Sequence, residues 1–87
     1  MFKAYLDPGH GWVAVKVRLL EDLRIADKIT RCSFLKGKTA YLEEDCDLAT
    51  FIDAYVLAFG FKPHFDEKCS NKSSPIRSYP RYSYTKS

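Results

Sequence analysis

The spacing of hydrophobic and polar positions changes several times along this chain. Phe2, Ala4 and Leu6 alternate with Lys3 and Tyr5, as in a short strand, and Asp7-Pro8-Gly9 closes it because Pro fixes φ and Gly permits turn dihedrals. Trp12, Ala14 and Lys16 then alternate with Val13, Val15 and Val17, and the three valines favour a second strand over a helix. From Arg18 the period lengthens. Leu19, Leu20 and Leu23 form a stripe with Glu21, Asp22 and Arg24 outside it, which predicts a helix of about two turns held by packing rather than propensity. No Gly or Asn follows Arg24, so this helix is expected to fray or tighten at its end. Alternation returns after Lys28. Thr30, Cys32 and Phe34 share one face, Thr39 and Tyr41 alternate with Ala40 and Leu42, and Lys36-Gly37-Lys38 supplies the turn of a hairpin.

Behind the hairpin stand Glu43, Glu44, Asp45 and Asp47, followed by Leu48, Phe51, Ile52, Tyr55 and Phe59 at spacings of three and four, one stripe of a helix. Asp45 or Asp47 is placed to cap its start, and Gly60 stands where a left-handed C-cap is wanted. Phe61, Pro63 and Phe65 then alternate with polar residues, as an extended strand or strap along the body would. The expected fold class is α+β, with a small antiparallel sheet of three to four strands, one main helix (about 47–59) and one short helix (about 18–24) packed on it. Residues 1–69 read as a single globular domain. Residues 70–87, where Ser, Asn, Pro and Lys accumulate, read as a basic Tyr/Arg-rich C-terminal tail.

Composition narrows the picture. A chain of 87 residues has room for one thin core and no second catalytic lobe, and 15% aromatic residues make Tyr and Phe its main buried area. The start lacks the apolar run of a signal peptide, and no stretch approaches the length of a membrane span, so a soluble, cytoplasmic protein is expected. Cys32, Cys46 and Cys69 cannot all pair within one chain and none forms a C-x-x-C, which fits reduced thiols. The net charge of +3 divides unevenly. Eight cations meet nine carboxylates in residues 1–60, and six meet two in residues 61–87, so a near-neutral body carries a basic tail.

Few residues carry candidate chemistry. Glu43, Glu44, Asp45 and Asp47 form an acidic surface for a basic partner, or a hard-cation site, or simply a solvated helix cap. Their alternation and the lack of an Asp-x-Asp-x-Asn-Gly loop argue against a metal, and none is expected. His10, between Gly9 and Gly11, reads as an exposed turn residue before it reads as a base or ligand. His64 and Cys69 lack further zinc ligands nearby. Cys46 has carboxylate neighbours that disfavour a thiolate, and Cys32 and Cys46 read as small core residues. No catalytic residue, enzymatic activity or cofactor is expected. In the tail, Arg77, Tyr79, Arg81, Tyr82, Tyr84 and Lys86 interleave cations with rings. That pattern suits phosphates and bases, and equally a protein hot spot, while Ile76, Tyr79 and Tyr82 could instead pin the tail to the body.

The segments His10-Gly11-Trp12-Val13-Ala14-Val15-Lys16, Ile25-Ala26-Asp27-Lys28-Ile29, Tyr41-Leu42-Glu43-Glu44-Asp45-Cys46-Asp47 and Ser74-Pro75-Ile76-Arg77-Ser78-Tyr79 resemble short uncharacterised proteins carried by prophages, plasmids and other mobile elements of Gram-negative bacteria. The resemblance implies a context and no site residue. Small proteins of such elements often bind a host protein or a nucleic-acid complex, as anti-CRISPR and antirestriction proteins do. The expected function is thus a non-enzymatic accessory protein that binds a macromolecule, first of all a host protein or protein complex. The alternative is a nucleic-acid-binding module built on the Arg/Tyr tail. A homodimer through an exposed sheet edge is open as well, and no membrane partner is expected.

Overall fold

The computed structural model of the protein describes residues 1–85. Its elements are β1 (Phe2–Leu6), β2 (Gly11–Lys16), α1 (Val17–Asp22), β3 (Phe34–Lys36), β4 (Thr39–Glu43), α2 (Leu48–Phe59), β5 (Phe65–Cys69) and a 3-10 turn at Pro75–Ser78. The fold is α+β, but the sheet has five strands rather than three to four, in the order β3-β4-β2-β1-β5. It is also mixed. Phe65 to Cys69 run parallel to Phe2 to Leu6, because α2 carries the chain from the β4 side across the sheet to its far edge. Of the segment expected as an extended strand or strap, only Phe65 belongs to the strand, which runs on to Cys69.

The hairpin departs from its sequence pattern. Thr30 and Cys32 do not share a strand with Phe34, since β3 is only three residues long and the preceding residues form turns. Gly37, at the first position of the two-residue loop between Lys36 and Thr39, has a φ of 62°, as a primed hairpin turn requires.

Val13 and Val15 of β2, with Ala4, Ala40 and Leu42, face Phe51 of α2 and Leu20 of α1, and all seven are buried. Phe51 meets Phe2 edge-on at 5.2 Å between ring centroids. The opposite face of the sheet carries Trp12 and Phe34, with Tyr5 and Tyr41 beside them, and is covered by Ile76 and Tyr79 of the C-terminal segment. That segment then passes around the β3 edge. The Leu35 amide donates to the Pro80 carbonyl, the Tyr82 amide donates to the Ser33 carbonyl, and Tyr82 enters the α2-side core with its hydroxyl on the Ala26 carbonyl at 2.6 Å. Tyr84 ends the wrap with a 2.7 Å hydrogen bond to Glu21 of α1.

Both helices end with a left-handed residue, one expected and one not. Gly60 has a φ of 82° and donates its amide to the Val56 carbonyl. α1 stops at Asp22 instead of Arg24, because Arg24 itself takes the left-handed position with a φ of 61°. Its amide bonds the Glu21 carbonyl and the Ile25 amide bonds the Leu20 carbonyl, while Ile25 and Leu20 are both buried. These are the two bonds and the apolar contact of a Schellman motif, closed by Arg where Gly is usual.

Two outcomes follow from these contacts. Arg24→Gly relieves the Cβ conflict and is expected to raise unfolding stability by about 0.5–1 kcal/mol, measured in urea, since the strain of about 1–2 kcal/mol exceeds the added chain entropy. Burial pushes the Tyr82 phenol up to about 12 from its ordinary value of 10. The fold favours the neutral phenol, so its contribution is complete below pH 10 and is lost as pH rises towards 12. The urea midpoint is expected to fall more steeply between those values than that of Tyr82→Phe. At neutral pH the variant is less stable by about 1 kcal/mol, the Ala26 carbonyl having lost its donor.

Candidate functional site

The acidic residues ahead of α2 divide into an inner and an outer pair. Asp47 occupies the N-cap position but makes no cap bond with its side chain. Its carboxylate turns inward and accepts from the Thr30 amide and hydroxyl and from the Ser33 hydroxyl, and the residue is 1% exposed. Three donors on a turn outcompete the helix amides. Glu43 is buried too, accepting from the Asp45 amide at 2.8 Å, with His10 Nδ1 3.1 Å from its other oxygen. Glu44 and Asp45 alone of the four are exposed. The Glu44 carboxylate lies so close to Gly11 that a Cβ there would stand 2.7 Å from Oε2 and 2.5 Å from Leu6 Cδ2. A side chain at Gly11 would have to push aside the ends of Leu6 and Glu44, so the glycine leaves room for their close approach.

His10, Glu43 and Asp45 each offer a ligand atom, and these lie within 4.8 Å of one another. The sequence places His10 far from the acids; the β2–β4 pairing joins them by setting Trp12 opposite Glu43. One imidazole and two carboxylates suit a borderline or hard cation as a three-donor set. The carboxylate of Glu43 is already shared between His10 and the Asp45 amide, so the cluster is satisfied by its own hydrogen bonds. The cysteines are not core residues. Cys32, Cys46 and Cys69 are all exposed, and beside the first two it is Ser33 and Asp47 that take the buried positions.

The tail residues are engaged with the body one by one. Arg77 grips Asp7 with both prongs, Nε at 2.7 Å and Nη2 at 2.9 Å, and stands 5.4 Å over the Trp12 ring. Asp7 also accepts from the amides of Ser74, Gly9 and His10, and its side chain is fully buried. Tyr79 packs edge-on against Tyr41, with Lys36 above it. Arg81 lies 4.5 Å over Phe34 and donates to the Arg31 carbonyl. Tyr82 and Tyr84 hold the sites already described, and Lys86 lies outside the described residues.

A further surface group escaped the sequence reading. Tyr55, Phe59 and Phe61 form a ring cluster at the C-terminal end of α2, with centroids 4.6 to 6.4 Å apart. Phe59 is 50% exposed, Phe61 54% and neighbouring Leu57 90%. The helical stripe assigns Phe59 to the core, yet it is half exposed, and Leu57 lies off the stripe altogether. Four consecutive apolar residues from Val56 to Phe59 were the available signal, since a one-sided helix needs only some of them.

No family model, curated protein or solved structure matches the chain. Among the described residues, no helix is long and apolar enough to cross a membrane.

The Arg77 guanidinium beside Asp7 holds its carboxyl well below the usual carboxylate range. The contribution of a carboxylate depressed in this way is complete above its unfolded value and is lost as pH falls below it. Asp7→Asn is therefore expected to flatten the decline of stability with acid below about pH 4. At pH 7 tryptic cleavage after Arg77 and Arg81 should rise by about tenfold over the parent chain, because the segment opens more often.

Proposed function

We propose that the protein is a non-enzymatic binding protein whose target is another protein, held on the aromatic cluster at the end of α2. The observation that carries this reading is the exposure of Phe59 and Phe61 as one ring cluster backed by Tyr55, with Leu57 exposed elsewhere on the same helix end. Singly exposed apolar residues are ordinary on any surface. A contiguous set of rings with a rigid helix behind it is what interface hot spots are made of. In the mobile-element setting that the sequence resemblance implies, the target is a host protein or protein complex, and inhibition of a defence system is one form this takes. Glu44 and Asp45 remain available to a basic partner, whereas Glu43 and Asp47 are committed inside.

The rival reading uses the tail cations for nucleic acid. Strand binding needs guanidinium groups free to meet phosphate and rings free to stack. Arg77 is forked to Asp7, Arg81 lies on Phe34, and Tyr79, Tyr82 and Tyr84 contact the body, which favours the protein reading.

The test is affinity capture from a bacterial lysate with the parent chain and with Leu57→Ser/Phe59→Ser/Phe61→Ser, beside a gel shift at two salt levels. The expected result is a captured protein whose recovery falls by about tenfold or more in the variant, with both chains equally folded. Equal recovery by both chains, or a salt-sensitive oligonucleotide shift abolished by Arg77→Ala/Arg81→Ala, would overturn the reading. Persistence of the cluster in a dimer of the protein itself, seen by light scattering, would do the same.

A further inference from the structure

We propose that Cys32 and Cys46 form a surface dithiol that a small-molecule disulfide, such as oxidised glutathione, converts into an intramolecular disulfide. The two cysteines lie in separate turns, Cys32 before β3 and Cys46 between β4 and α2, and both are exposed. One hydroxyl joins them. Thr30 Oγ1 accepts from the Cys32 amide at 3.1 Å and lies 3.4 Å from Cys46 Sγ. The residues on either side are clasped as well, since Asp47 takes Thr30 through its amide and hydroxyl and Ser33 through its hydroxyl. Ser33 and Asp47 are the buried part of the clasp, and Thr30, Cys32 and Cys46 lie on its exposed rim. The Cys32 thiol beside it is the largest cause raising the Cys46 thiol above its ordinary value, with desolvation and Asp47 adding to it. Exchange therefore gains speed as pH rises.

The chemistry balances without any further reactant. One cysteine, as thiolate, attacks a sulfur of the small disulfide, whose S–S bond breaks and whose other half leaves as a thiolate that takes up the released proton. The second cysteine then attacks the protein sulfur of the mixed disulfide and expels the remaining half. Two cysteine thiols are oxidised, one small disulfide is reduced to two thiols, and the new bond ties the turn before β3 to the start of α2 around the β3–β4 hairpin. Closing that loop restricts the unfolded chain. Cys69, at the end of β5, is exposed but belongs to neither turn and serves as the internal control.

The full-length chain is incubated with oxidised glutathione, alkylated, and cut with trypsin without reduction. Cleavage at Lys36 and Lys38 separates the two cysteines into different peptides. The expected result is a Cys32–Cys46 linked peptide from a monomer whose mass has fallen by two hydrogens. Cys69 is left alkylated or glutathionylated, and Tm rises on the order of 10 °C until dithiothreitol is added. In Cys32→Ser or Cys46→Ser the remaining partner should instead retain glutathione, because no second thiol displaces it. Stable glutathione on both Cys32 and Cys46 of the parent chain, or linkage through Cys69 as the main product, would overturn the proposal.

Discussion

The fold depends on a sheet with two apolar faces and, among the described residues, a single long helix. α2 covers the face of Val13, Val15 and Leu42, and nothing helical remains for the face of Trp12, Phe34 and Tyr41. The C-terminal segment meets that need. Arg77 forks onto Asp7 to anchor it, Ile76 and Tyr79 cover the second face, and Tyr82 passes the β3 edge to finish the first. One peptide strand thus shields the far face, caps a bare sheet edge and fills a hole in the main core, which a chain of this size requires because its helices alone leave too much surface wet. The arrangement is not free of cost. Trp12 Nε1 is buried without a hydrogen-bond partner among the described residues, and the packing of its ring with Phe34 and Ile76 must offset that loss.

The acidic stretch before α2 illustrates how the same constraint redirects side chains. Asp47 stands where a helix cap belongs, yet the turn from Thr30 to Ser33 offers it three donors in a dry site, and a buried carboxylate goes where it is most fully bonded. The displaced consequence is visible outside. With the buried positions taken by Ser33 and Asp47, Cys32 and Cys46 are left on the surface beside Thr30. Glu43 likewise faces inward, opposite Trp12, which draws His10 to it.

Local pattern was sufficient to reveal β1, β2, α2 and its Gly60 terminus, since each rests on alternation, helical spacing or a turn residue within a few positions. The shortfall lay in contacts distant in sequence. β5 has charged Asp66, Glu67 and Lys68 in its middle, as an edge strand does, so its pairing with β1 depends on where α2 delivers it. Arg24 in a left-handed position breaks the usual residue preference and no local pattern announces it. The tail sequence held pinning, protein contact and nucleic-acid contact open together, and only the position of Asp7, seventy residues away, shows where Arg77 goes. Of the site, Glu44 and Asp45 were legible as surface, while the exposure of Phe59 was hidden because helical spacing alone groups it with the core residues of α2.

Native-state amide hydrogen exchange at Leu35 and Tyr82 measures the wrap most directly, since these two amides donate across the junction between β3 and the C-terminal segment. The account predicts that both exchange with nearly the same protection as the amides of the central strand β2, as members of one cooperative unit. Exchange of Leu35 and Tyr82 at the rate of an unfolded chain, while β2 stays protected, would contradict it.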